Sequence, residues 1–155
     1  IIENISVWDN LLIALKTNKS FMASLFNKIM PKDLEKIIST IKTINLDKKK
    51  TLIAKHLSHG EKQWLEIGML LMQQPELLLI DEPVAGMTER ETKNTSDLLK
   101  NISQERTVLV VEHDMKFIES LNVEVVVLHE GRVLTRGAMK NVKNNKQVID
   151  VYLGR

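Results

Sequence analysis

Four consecutive apolar residues, Leu77–Leu78–Leu79–Ile80, run into two carboxylates, Asp81 and Glu82, and then into Pro83. A short, wholly apolar run suits a strand in the middle of a sheet, buried on both faces. Pro83 has no N–H to give a ladder, so pairing stops just beyond the two acids. Side chains alternate along a strand, so the neighbours Asp81 and Glu82 point differently and can take different tasks. The carboxyl ends of strands are also where open α/β sheets bind their ligands. One acid can hold a water-coordinated Mg²⁺ while the other faces a nucleophilic water. A helix-capping Asp beside a surface Glu is the plainer alternative.

The arrangement recurs. Thr107 to Val111 reads as a second buried strand, and Glu112–His113–Asp114 closes it. An imidazole at a strand end can donate to a phosphate oxygen or orient a water. A lone histidine more often packs or caps, but His113 holds the position equivalent to an acidic strand end, which favours chemistry. His56 and His129 lack such support and read as surface residues, and no Zn²⁺-ligand spacing occurs.

Around these strands the periodicity predicts helices from about Thr88 to Ser103 and from Met115 to Leu121. Val123 to Leu128 is a third strand, and His129-Glu130-Gly131-Arg132 turns it into Val133–Leu134 as a hairpin. Met139 to Leu153 reads as one or two small helices. Strands alternating with helices imply an α/β fold with a mostly parallel sheet and one hairpin at its edge.

The first 50 or so residues are helical in pattern. Ser6 followed by Asp9 resembles a capping box, and Val7, Leu11, Ala14 and Leu15 share a face. A second stretch runs from Ser20 to Met30. Pro31 opens a third helix, with Leu34, Ile37, Ile38, Ile41 and Ile44 at helical spacing. Together they predict a packed helical subdomain, followed by an exposed linker at Lys48–Lys49–Lys50. Leu57–Ser58–His59–Gly60–Glu61 is then a polar turn opening a helix that carries Trp64, Leu65, Ile67, Gly68, Leu70 and Leu71. Ser58 can cap this helix and Gly60 permits close backbone approach, while free N–H groups and the helix dipole favour an anion there. An ordinary helix cap would need the same residues.

Composition removes several alternatives. With 22 Lys+Arg against 20 Asp+Glu, the net charge of +2 gives no reason to expect nucleic acid as a partner. The absence of cysteine excludes disulfides and thiolate chemistry. No apolar run approaches the roughly 20 residues of a membrane span. No G-x-x-x-x-G-K-[ST] occurs either, so the usual cradle for β- and γ-phosphates is not in this chain.

The pieces come in a telling order. Over roughly residues 52–155 the chain resembles the C-terminal two-thirds of an ATP-binding cassette (ABC) ATPase, a P-loop NTPase. Leu57 to Glu61 is similar to the ABC signature, Leu77 to Glu82 to Walker B with its catalytic glutamate, and Val84 to Thr88 to the D-loop. Glu112–His113–Asp114 is similar to the switch-histidine loop, and Val127 to Gly137 to the hairpin that follows it. Residues 81–88, the His within the signature and the ending Val151-Tyr152-Leu153-Gly154-Arg155 look most like the urea transporter ATP-binding subunit, a relative of the branched-chain amino acid importers.

The resemblance implies a role for each residue. Asp81 would hold Mg²⁺ through water, Glu82 would polarise the attacking water, and His113 would contact the γ-phosphate of ATP. Ser58, His59, Gly60 and Glu61, as the start of a helix, would bind the γ-phosphate of ATP held by a second ABC ATPase subunit in a head-to-tail dimer. Residues 1–73 would form the helical subdomain and the start of the signature helix; 74–155 would form the C-terminal part of the ATPase core. Transmembrane permease subunits would be further partners, at the cytoplasmic face of the inner membrane. Walker A, its strand, the base-stacking aromatic and the Q-loop would lie before Ile1, so the sheet is expected to show exposed Val, Ile and Leu faces. Without them this chain alone is not expected to hydrolyse ATP. A non-hydrolytic dimerisation or regulatory module is the rival reading, and the intact Glu82 and His113 stand against it. Three positions depart from the family pattern. The usual signature has Gly at His59 and Gln at Glu61, and the D-loop aspartate is replaced by Thr88. His59 would be strained if the site needed a positive φ, and Glu61 would bring a negative charge close to a triphosphate.

Overall fold

A computed structural model describes residues 1–16 and 30–152. The helix expected over Ser20 to Met30 therefore lies outside the described residues, apart from Met30. Helix α1 spans Val7–Ala14, and its start is fixed locally. The Ser6 hydroxyl oxygen accepts the Asp9 N–H, and the Asp9 carboxylate accepts the Ser6 N–H, which is the expected capping box. Helix α2 spans Pro31–Thr43 with Pro31 in its first turn, where a missing N–H leaves no helical bond unmade. Ile37, Ile41 and Ile44 are buried, whereas Leu34 and Ile38 are exposed, so the apolar stripe is wider than the packed face.

The lysine run is exposed, as expected, and forms a turn. Asp47–Lys49 forms a 3-10 turn, and a second one covers Ala54–His56. Helix α3, His59–Met72, then packs across α1 and α2. Gly68 makes that approach possible, because a Cβ there would stand 2.6 Å from Ile44 Cδ1 and 3.1 Å from Leu11 Cδ2.

Strand β1 (Leu77–Asp81), helix α4 (Glu89–Ser103) and strand β2 (Thr107–Val111) form a parallel crossover unit. Its register runs from Leu77 opposite Thr107 to Asp81 opposite Val111, so both strands end side by side. Helix α5 covers Met115–Leu121. Strands β3 (Glu124–His129) and β4 (Arg132–Ala138) form the hairpin, turning at Glu130 and Gly131 with φ of 47° and 75°. Two positive φ values are what a tight hairpin turn requires. Helices α6 (Met139–Val142) and α7 (Lys146–Tyr152) complete the described chain.

The α/β class is as expected, with two corrections. The expected single sheet is divided into two two-stranded sheets, because β2 and β3 share no ladder. An apolar groove of about 580 Å³ separates them, lined in part by Leu109, Val111, Val126 and Leu128. The strands are also not buried on both faces. Leu78, Ile80, Val108 and Val110 point into the protein, while Leu79 is 64% and Leu109 55% exposed. Alternation puts Leu77, Leu79, Leu109 and Val111 on one face, where each is at least half exposed.

One apolar cluster runs through most of the molecule, from Val7 and Leu11 through Ile37, Leu65 and Leu78 to Phe117. Within it the Trp64 indole N–H donates to the Thr95 hydroxyl at 2.9 Å and ties α3 to α4. A smaller cluster of Met139, Val142 and Val148 supports the hairpin.

Candidate functional site

The two strand ends meet. The Glu82 N–H donates to the Val111 carbonyl at 2.9 Å, carrying the pairing one residue past β1. Glu82 itself sits at φ +45°, a left-handed conformation that is uncommon for a residue with a Cβ and is found disproportionately at functional sites. This break in the strand turns its carboxylate away from the simple alternation that leaves Asp81 on the open face with Leu79. Glu82 Oε1 lies 3.4 Å from His113 Nδ1, and both side chains are more than half exposed. The chain thus brings together a carboxylate and an imidazole 31 positions apart in sequence, each just past the end of a strand.

A third group, overlooked in the sequence as a site residue, holds these loops. The side chain of Glu112 is only 2% exposed. Its Oε2 accepts the N–H groups of His113 at 2.7 Å and Asp114 at 3.2 Å, and its Oε1 accepts the Val84 N–H at 3.4 Å. Parity could have identified it: Glu112 continues the inward series of Val108 and Val110. Asp114 caps α5, accepting N–H bonds from Lys116 and Phe117.

The polar turn at Ser58 is a second constellation. Ser58 and Glu61 form a capping box, with Ser58 Oγ accepting the Glu61 N–H and Glu61 Oε2 accepting the Ser58 N–H. Lys49 Nζ lies 2.6 and 2.8 Å from the two oxygens of the same carboxylate. The charge of Glu61 is therefore directed to its own cap and to Lys49. His59 is helical and has no positive φ, so the anticipated strain does not arise. Its Nε2 lies 3.0 Å from the Ala85 carbonyl, joining this turn to the loop after Glu82. A Cβ on Gly60 would stand 2.8 Å from Cδ of Glu91, so that side chain would have to shift.

Glu91 comes from the start of α4. Its Oε2 accepts from the N–H and hydroxyl of Thr88, and its Oε1 accepts the Ser58 hydroxyl at 2.8 Å. The Thr88 N–H, followed by the Ser58 hydroxyl, holds this carboxyl below its ordinary range, with a further contribution from the Gly60 N–H. One carboxylate thus serves two helix starts. Among the described residues no hydrogen bond or ion pair joins the Ser58 turn directly to Glu82 or His113.

The family model described as "ABC transporter" matches residues 1–85, more than half of the chain. The chain belongs to the ABC transporter family. It is 30% identical to the high-affinity branched-chain amino acid transport ATP-binding protein LivG of Escherichia coli (strain K12), over 98% of this chain and 63% of LivG. BraF of Pseudomonas aeruginosa, of the same description, is 32% identical over 94% of this chain and 61% of its own length. The fold matches the ADP conformation of MJ1267, an ATP-binding cassette of an ABC transporter, with TM-score 0.79 and 26% identity, covering 99% of this chain and 65% of that one. The chain thus spans less than two-thirds of the length of these relatives.

Within this ABC chain the departures from the family pattern have local explanations. Thr88, which the resemblance sets at the D-loop aspartate position, caps α4, and Glu61 closes on Lys49. For Mg²⁺ the described residues contain no cluster of three or more acidic or histidine side chains. Asp81, a single exposed carboxylate at a strand end, fits the ion's usual mode of one or two carboxylates completed by water and phosphate oxygens.

Proposed function

We propose that this chain is part of an ATP-binding subunit of an ABC importer, whose ATP hydrolysis drives uptake of a small polar solute. The observation that carries the reading is the Glu82–His113 pair at the meeting of two parallel strand ends, with Glu82 in a left-handed conformation. In this reading Glu82 accepts hydrogen bonding from the attacking water and draws its proton. With Nδ1 turned towards Glu82, His113 presents Nε2 to a γ-phosphate oxygen. Asp81 would hold Mg²⁺ through water, and the ion when bound would neutralise charge on the phosphates.

Ser58, His59, Gly60 and Glu61 offer a hydroxyl and helix-start N–H groups to the γ-phosphate of ATP held by a second subunit. For that contact Glu91 has to yield Ser58 and Gly60. The lack of any direct bond between the Ser58 turn and the Glu82–His113 pair supports two half-sites completed head to tail. Residues 1–73 would meet the permease subunits at the cytoplasmic face of the membrane, and 74–155 would carry the chemistry. No helix among the described residues is long and apolar enough to cross a membrane.

The names of LivG and BraF favour a branched-chain amino acid as the solute. Residues 81–88 and His59 favour urea, and competition of each solute for uptake by the assembled importer separates the two. The hydrolytic reading is tested by ATP turnover of the whole subunit. Glu82→Gln is expected to leave ATP binding intact while lowering turnover about a hundredfold or more. Wild-type turnover in that variant would remove Glu82 from its role. Residues 1–155 alone are expected to show no turnover above background.

A further inference from the structure

We propose that Glu112 is a positioning residue for the Glu82–His113 pair, its buried carboxylate clamping the loop after β1 to the loop after β2. The inference rests on the hydrolytic reading above. A carboxylate 2% exposed has been taken out of water and must find donors. Glu112 finds them on two loops rather than one. Oε2 holds the backbone N–H groups of His113 and Asp114, which fixes where the imidazole leaves the chain. Oε1 reaches the Val84 N–H, two residues beyond Glu82. The same Oε2 lies 3.5 Å from His113 Nδ1, against 3.4 Å for Glu82 Oε1, so the ring nitrogen faces both carboxylates.

A carboxylate is suited to this task because both of its oxygens accept and neither donates. Glutamine has the same shape but only one accepting oxygen. In Glu112→Gln the amide oxygen can keep His113 and Asp114, and its NH₂ group would then face the Val84 N–H, donor against donor. That variant releases the Glu82 side of the clamp with little change in volume. Glu112→Ala releases both sides.

The first test uses amide hydrogen exchange in the 155-residue chain and is independent of activity. Glu112→Ala is expected to speed exchange at Val84, His113 and Asp114, and Glu112→Gln at Val84 alone, while Leu79 and Val110 in the strands exchange as before. Unchanged exchange at all three amides overturns the clamp. The second test uses ATP turnover of the whole subunit. Displacing a catalytic group by a fraction of an ångström to about 1 Å costs about ten- to a hundredfold in rate. Both variants are therefore expected to lower kcat about tenfold or more, with KM for ATP within about twofold. Should Glu82→Gln abolish turnover while both Glu112 variants keep wild-type kcat, the positioning role fails and the hydrolytic reading stands. Should Glu82→Gln itself retain turnover, both fall together. Because Glu112→Gln preserves volume, its folded state can be verified by the unchanged strand amides even if Glu112→Ala unfolds.

Discussion

At the scale of single residues, Glu91 shows how one charge can stabilise two helices. Its carboxylate accepts from Thr88 at its own helix start and from Ser58 at the start of α3, 33 residues earlier. Removing it opens the Thr88 capping box and leaves the Ser58 hydroxyl without its acceptor, so Glu91→Ala should lower stability by about 0.5–2 kcal/mol, the usual range for loss of a cap. The dependence on pH has a definite sign. The folded carboxyl lies below its ordinary value of 4.5, so its contribution is fully present above that value. It is lost as pH falls through the folded pKa. Urea midpoints of wild type and Glu91→Gln should therefore differ more at pH 7 than at a pH well below 4.5. A gap that stays constant across that range would mean that the charge does not matter to folding.

At the scale of elements, much could be read from the sequence wherever the signal is local. Ser6 and Asp9 lie three positions apart, and Pro31 sits at a helix start; both form the ends they encode. The end of β1 was legible because an apolar run meets two acids and a proline. What escaped notice depends on groups distant in sequence. The link from Ser58 to Glu91 is one example, and the pairing of Lys49 with Glu61 is another. Glu112 lies between these cases: the parity of β2 puts it inward, but its three backbone donors come from two different loops.

Gly68 offers an element-scale test. Alanine is about 1 kcal/mol better than glycine inside a helix, so Gly68→Ala would stabilise α3 if the methyl group had room. It does not, because the new Cβ would stand 2.6 Å from Cδ1 of Ile44, which is completely buried. Overpacking of about 1–3 kcal/mol should exceed the gain in propensity, and thermal denaturation should show a lower Tm. Ile44→Val removes that Cδ1. The double variant Gly68→Ala/Ile44→Val should then be more stable than the sum of the single effects predicts. Simple additivity would show that α3 and α2 adjust without strain.

At the scale of the whole molecule, the two faces of the β1–β2 pair decide how the chain behaves in solution. A wholly apolar strand read in isolation implies burial on both sides, yet Leu78 is buried and its neighbour Leu79 is 64% exposed. The difference lies in what packs against each face, which the sequence of the strand cannot report. A contiguous apolar face of this kind favours association. Substitution on it should cost little stability, because Leu79 and Leu109 leave little water-free contact to lose. Threonine also keeps the strand preference of the backbone. The double variant Leu79→Thr/Leu109→Thr is therefore expected to keep its Tm within a few degrees, with fewer aggregates in light scattering and weaker binding of a hydrophobic dye. Leu78→Thr, on the opposite face, should instead destabilise by about 2–4 kcal/mol, from lost burial and an added hydroxyl in the core. If the outward pair proved as costly as Leu78, the open face would be packed against something in solution, and self-association measured by sedimentation would identify a second copy of the chain as the cover.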